Sequence, residues 1–320
     1  MARSRKPPGP SPTPAVPENA VSQTGLVLAH YGQASLVETG NGDILRCSTR
    51  KNLPRTVCGD RVHWQASNPR EGVITAVLDR DTVLARPDQS GRSRAIAANI
   101  DQVIVVIASK PSCEYGMLDR YLAAAELIGA SPLIVLNKAD LLDADSRTKL
   151  EQRLAVYPAI GYPLIFTSTR SADGLKDLHE HLKGHISILV GQSGVGKSSL
   201  VQSLLPDLDI RTGSLSQVTG LGRHTTTVAM LYHAPGGGDL IDSPGVRDFT
   251  LSKVAPELLE KGFPEFAPYL GQCRFHNCRH LVEPGCAVHN AARDGAINPL
   301  RLDSYRELVK AMSQEAVGRR

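Results

Sequence analysis

The stretch ISILVGQSGVGKSSL, residues 186–200, decides the architecture. It begins as an apolar run of strand length, ends in SSLVQSLL with helical spacing, and holds G-x-x-x-x-G-K-S between them, from Gly191 to Ser198. A phosphate loop needs this strand and helix, because backbone N–H groups and a helix N-terminus must converge on phosphate oxygens. Gly191, Gln192, Ser193, Gly194, Val195, Gly196, Lys197, Ser198 and Ser199 are therefore read as phosphate contacts. Lys197 is placed on the outer phosphates and the Ser198 hydroxyl on Mg²⁺, both as parts of the catalytic apparatus.

Outward from the loop, the upstream chain alternates apolar strands with amphipathic helices. IDQVIVVIA, MLDRYLAAAELIG, PLIVLN, PLIFTS and LKDLHEHLK follow one another between Ile100 and Lys183. This grammar describes a parallel sheet with crossover helices. PLIVLN ends in NKAD: Asn137, Lys138, Ala139 and Asp140. The Asp140 carboxylate can accept both the N1–H and the exocyclic amine of guanine, a pair of donors that adenine lacks on that edge. Alone, such a tetrapeptide could equally be a helix N-terminus with its Asp as cap. At the carboxyl end of a parallel strand, beside a phosphate loop, it reads as a base-recognition element.

Downstream, Asp242 to Gly245 reads DSPG, and GLGRHTTTVA lies between the loop and that motif. Asp242 suits the Mg²⁺ shell, Thr226 offers it a hydroxyl, and the Gly245 N–H can sense a γ-phosphate. Thr225 to Thr227 can equally be the β-prone start of a strand. Val246 stands where many nucleotide hydrolases carry a water-orienting Gln, so His224, just before the threonines, is the catalytic candidate for orienting water. A loop histidine that merely packs or contacts RNA is the competing reading.

Here the residues resemble a known group, the circularly permuted GTPases, and within it the ribosome small-subunit-dependent GTPase A family. NKAD precedes GQSGVGKSS, which precedes HTTT and DSPG, whereas ordinary GTPases have the phosphate loop first. The resemblance puts STRSADG, with Ser168 and Thr169, in the second guanine-contacting loop; many members have Ala where Thr169 stands. It implies hydrolysis of GTP to GDP and phosphate, action on the small ribosomal subunit late in 30S maturation, and binding to 16S rRNA. A rival reading is a nucleotide-gated RNA-binding module with negligible turnover.

Cys273, Cys278, His280 and Cys286 form C-x4-C-x-H-x5-C. Three thiolates and an imidazole make a closed tetrahedral Zn²⁺ site, structural because no position is left for water. That closure excludes a zinc hydrolase. His276 and His289 are rival ligands by proximity, while Cys47, Cys58 and Cys113 are read as packed residues.

At the N-terminal side, residues 1–20 carry six prolines and little to bury, which predicts a disordered basic tail. Five short alternating runs from Thr24 to Asp79 then predict an OB-like β-barrel. Arg46, Arg50, Lys51, Arg55 and Arg61 make one stretch of it basic, suited to a phosphate backbone. Tyr31 and Trp64 are possible base-stacking platforms, though Trp64 shares strand parity with Val62, which favours a core position.

The expected division of the multidomain chain is a tail at 1–20, barrel at 21–88, permuted α/β P-loop GTPase domain at 96–252, and zinc-binding helical domain at 253–320. The 320 residues suffice for these cores, and net charge of +4 permits an acidic partner without demanding one. No apolar run approaches bilayer length and no secretory h-region opens the chain. A cytoplasmic monomer with no membrane partner, binding GTP/GDP and carrying one Zn²⁺, is expected.

Overall fold

The computed structural model describes residues 22–87, 93–171, 174–206, 228–242 and 256–317. His224, Thr225, Thr226, Thr227, Gly245, Val246 and the N-terminal tail lie outside the described residues.

The five predicted barrel runs are β1 (Gln23–Tyr31), β2 (Ala34–Thr39), β3 (Ile44–Thr49), β4 (Arg61–Asn68) and β5 (Glu71–Val77). They hydrogen-bond in the order β1-β2-β3-β5-β4, and β4 returns to β1 to close the barrel, with Gly25 opposite Val62. The β3–β5 pair is parallel and the others antiparallel, the closed five-stranded arrangement of an OB-type barrel. Alternate residues point inward, so Val27, Val37, Leu45, Cys47, Val62, Trp64 and Ile74 form its core. Trp64 is 3% exposed and donates its indole N–H to the Thr24 carbonyl, so it is a core residue and not a stacking platform.

A ribbon that the sequence did not announce follows the barrel: β6 (Val83–Pro87) and β7 (Ser93–Ala98), paired antiparallel. Asn99 anchors its end to the barrel, the side-chain amide donating to the Gly59 carbonyl at 2.9 Å.

The second layer system contains β8 (Gln102–Ala108), β9 (Ser131–Asn137), β10 (Leu164–Phe166), β11 (Ile186–Val190), β12 (Met230–His233) and β13 (Asp239–Asp242). Their order is β10-β9-β8-β11-β13-β12, parallel throughout except for β12. Every residue of β8 is buried, as a central strand covered on both faces requires. The helices are α1 (Tyr115–Ile128), α2 (Ala144–Leu154), α3 (Val156–Ile160), α4 (Lys176–Leu182) and α5 (Lys197–Leu204). Of the positions its periodicity marks, α1 buries Leu118, Tyr121, Leu122 and Ala125, and Ile128 in its last turn is half-buried. Met230 on β12 also pairs with Ala29 on β1, so the two sheets run together as one.

After residue 255 come two 3₁₀ segments, Pro256–Gly262 and Pro264–Tyr269, then α6 (Ala287–Arg293) and α7 (Pro299–Val317). Phe263, Phe266 and Tyr305 form an aromatic knot with ring centroids 5.1–5.3 Å apart. Beside it the buried Arg301 of α7 donates to Asp119 of α1 and to Glu265, each at 2.6 Å, and the Tyr157 hydroxyl donates to Asp119 at 2.9 Å. This network ties the C-terminal elements to the central sheet's first helix. Among the described residues, no helix is long and apolar enough to cross a membrane.

Candidate nucleotide site and metal cluster

β9 and β11 flank β8, so their carboxyl ends lie close together although more than fifty residues separate them in the chain. This juxtaposition brings NKAD to the phosphate loop. The Asn137 side-chain amide donates to the Val195 carbonyl at 2.9 Å, and the Lys138 ammonium donates to the Gly194 carbonyl at 2.6 Å and the Lys110 carbonyl at 2.9 Å. Asn137 and Lys138 thus brace the loop, a role that the tetrapeptide alone does not reveal.

The loop depends on two glycines. Gly191 has φ +140°, and a Cβ there would lie 2.2 Å from the Val106 carbonyl oxygen. Gly196, at φ +98°, is the N-cap of α5, and a Cβ there would fall 2.4 Å from the Asn137 amide nitrogen. The Lys197 ammonium donates to the Gly191 and Gln192 carbonyls at 2.6 and 2.7 Å, folding the loop around a positive charge. Ser198 and Ser199 are exposed on the first turn of α5, whose unsatisfied N–H groups favour an anion.

On the base side, Asp140 Oδ1 accepts from the Ser168 hydroxyl at 2.7 Å, while Oδ2 stands 3.8 Å from the Arg170 guanidinium. The Ser168 N–H donates to the Gly174 carbonyl, the Ala139 N–H to the Thr167 carbonyl, and Thr169 is exposed. The two predicted base-contacting segments therefore meet at one carboxylate. Asp242 ends β13, beside the strand that launches the loop, and burial pushes its carboxyl above the usual value. A hydroxyl and a carboxylate are hard oxygen donors of the kind Mg²⁺ takes, so the described part of this donor set fits that ion. His224, Thr226 and Gly245, assigned from sequence to catalysis, magnesium and the γ-phosphate, lie outside the described residues.

The cysteine motif gathers as expected. The ligand atoms of Cys273, Cys278, His280 and Cys286 all lie within 4.8 Å of one another. His280 Nδ1 is 3.6, 3.7 and 3.2 Å from the three sulfurs, and Cys273 Sγ is 3.9 Å from Cys286 Sγ. Tetrahedral zinc with ordinary bond lengths has ligand separations of about 3.5 to 3.8 Å, so the group can hold a metal and fits zinc. His276 and His289 are not members of the cluster; the His289 Nε2 is 2.9 Å from the His280 carbonyl oxygen. Two supporting carboxylates carry no signal in the motif. Glu260 accepts from His280 Nε2 at 3.0 Å, the outer-sphere contact that orients a ligating imidazole. Glu283 accepts from the N–H groups of Arg279, Leu281 and Val282, which hold its carboxyl down to about 2 against the effect of burial. The knuckle loop is fixed by its own backbone.

Chain order separates this molecule from ordinary P-loop proteins, since the base-recognition strand arrives before the phosphate loop and an OB-type barrel precedes both. It is a circularly permuted GTPase. The RsgA GTPase family model matches residues 77–252. The small ribosomal subunit biogenesis GTPase RsgA of Ectopseudomonas mendocina is 48% identical over 297 residues, 92% of this chain and 87% of that protein. The RsgA of Pseudomonas aeruginosa is 50% identical over 292 residues, 91% of this chain and 86% of its own. The crystal structure of YjeQ from Thermotoga maritima superposes with TM-score 0.77 at 32% identity, covering 91% of this chain and 99% of that one. That of YloQ, a circularly permuted GTPase, gives 0.76 at 28%, covering 94% and 98%. The chain belongs to the RsgA GTPase family and is a GTP-hydrolysing enzyme.

Proposed function

We propose that the enzyme hydrolyses GTP to GDP and phosphate while bound to the small ribosomal subunit, as a late 30S maturation factor that contacts 16S rRNA. The observation that carries the nucleotide assignment is the clasp of Asn137 on the phosphate loop, which sets the base and phosphate halves of one site at a fixed spacing. Asp140, with Ser168 and Thr169 alongside, selects guanine. The Gly191–Ser199 loop wraps the phosphates, and Lys197 compensates charge on the outer ones. Ser198 and Asp242, with Thr226, would hold Mg²⁺, which when bound neutralises phosphate charge. Gly245 reports the γ-phosphate, and His224 orients the attacking water because Val246 has no donor or acceptor for it.

The ribosomal half of the reading is supported by the names of the relatives and by charge. Arg46, Arg50, Lys51 and Arg55 are exposed on β3 and the loop after it, a surface suited to phosphates, while Arg61 is committed to Asp81 at 2.7 Å. One structural Zn²⁺ held by Cys273, Cys278, His280 and Cys286 shapes the C-terminal module. The enzyme acts as a cytoplasmic monomer.

GTP turnover by the purified chain, alone and with 30S or 50S particles, tests the proposal. Stimulation of at least tenfold by 30S alone, about 1.4 kcal/mol in the barrier, is the expected result. Equal rates in all three conditions would overturn the ribosomal assignment, and equal affinity for GTP and ATP would overturn the guanine site.

A further inference from the structure

His233 ends β12 and its ring is held at both nitrogens by carboxylates, one from its hairpin partner β13 and one from β2 of the barrel. Nδ1 lies 2.6 Å from Asp239 Oδ1 on β13, and Nε2 lies 2.9 and 3.0 Å from the two oxygens of Glu38 on β2 of the barrel. Ionised carboxylates only accept, so a ring that satisfies both contacts must donate from both nitrogens. Consistent with that, the Asp239 hydrogen bond and the charges of Asp239 and Glu38 hold the His233 pKa up to about 9 against the effect of partial burial. Among the described residues, the charged groups facing the ring are Glu38 from β2 and Asp239 from β13. Lys183, at the end of α4, runs its stem beneath the Gly237 turn and pairs with Glu180 at 2.8 Å.

The location gives the contact its meaning. β12 and β13 form a short hairpin in which His233 pairs with Asp239 at one end and Met230 pairs with Asp242 at the other. The barrel grips this hairpin twice: Ala29 of β1 at Met230, and Glu38 of β2 at His233. Two attachments at opposite ends of a rigid hairpin transmit a rotation, where one would act as a pivot. Asp242 is the residue at the far end.

We infer that His233, bridging Glu38 and Asp239, is a positioning residue that locks the barrel to the β12–β13 hairpin, so that where the barrel sits is felt at Asp242. Only the subunit arm of the following test rests on the proposed function. Full-length unmutated, His233→Gln, Glu38→Gln and His233→Arg proteins are compared for GTP affinity, backbone hydrogen exchange and 30S-stimulated turnover at pH 7. His233→Arg keeps a cation with donors on two sides. Both Gln variants should bind GTP within twofold of the unmutated protein and lose at least tenfold protection at Met230–His233 and Asp239–Asp242. Stimulated turnover should fall at least fivefold in both, and His233→Arg should restore both quantities. Two variants on opposite sides of the contact guard against one that simply misfolds.

Unchanged protection in both Gln variants overturns the inference. Lost protection with unchanged stimulated turnover also overturns it, since the contact would then be structural only. Failure of His233→Arg to restore protection assigns the effect to ring packing and does the same. If 30S particles do not stimulate the unmutated protein, the proposed function fails, and the lock is judged on protection and its rescue alone.

Discussion

Gly196 is where the backbone geometry of the loop meets the NKAD segment. Its φ of +98° disfavours any side chain, and a Cβ would press on the amide that Asn137 uses to hold Val195. Gly196→Ala is expected to lower GTP affinity at least tenfold with an unchanged circular-dichroism spectrum, a result checked by nucleotide titration. Asp140→Asn removes a charge-assisted acceptor, which at about 1–3 kcal/mol is expected to narrow the preference for GTP over ATP in competition binding. His233 predicts a pH dependence with a definite sign. Its pKa is raised to about 9 in the folded state, so its contribution to stability is complete below the unfolded value of about 6.5 and is lost as pH rises through the folded value. The urea midpoints of the unmutated and His233→Gln proteins should therefore differ at pH 6 and converge above pH 9. The candidate segments, the loop and NKAD, stand out in the sequence because phosphate and base chemistry demand contiguous residue types. The bracing contacts of Asn137 and Lys138, and the carboxylates Glu260 and Glu283, do not, because their meaning depends on partners that only the folded chain brings near.

Elements with a strong period were readable, and those held by distant partners were not. β8 from Val103 to Ala108 and β9 from Leu133 to Leu136 are continuously apolar because both faces are covered, and the barrel strands alternate because one face is wet. The β6–β7 ribbon escaped notice because SRAIAA has little side-chain contrast and is fixed by nonlocal ties, Cys58 to Ala97 and Asn99 to Gly59. Barrel closure through β1–β4 is likewise a long-range pairing. The tie of α7 to α1 was invisible for the same reason, and it carries large energies. Arg301 and Asp119 are 1% and 2% exposed, so Arg301→Met strands two buried carboxylates and should cost about 3–5 kcal/mol in urea unfolding. Replacing Arg301, Asp119 and Glu265 together by apolar residues should recover most of that loss. On the barrel, Arg50→Ala and Lys51→Ala are each expected to weaken rRNA-fragment binding uniformly across sequences and to lower the salt slope by about 1, read from binding isotherms at several salt concentrations.

At the scale of the whole molecule, one apolar core runs from Leu28, Ala29 and Leu36 of the barrel through the parallel sheet to Phe263, Phe266 and Tyr305, a second fills the barrel, and specific ties sit on this continuous packing: Ala29 with Met230 and Glu38 with His233 on one side, Arg301 with Asp119 on the other. Chelation should raise hydrogen exchange across residues 273–289 while the barrel and the parallel sheet keep their protection, since a structural metal's binding energy is local folding energy. Metal analysis of the untreated protein should give one zinc per chain. The pairing of β1 with β12 has one more consequence. Without the barrel, Met230 would lose its strand partner Ala29 and β12 would become an open outer strand, the template on which other chains stack. The barrel is therefore also an edge guard, and a fragment beginning at residue 96 should self-associate at concentrations where the intact chain does not.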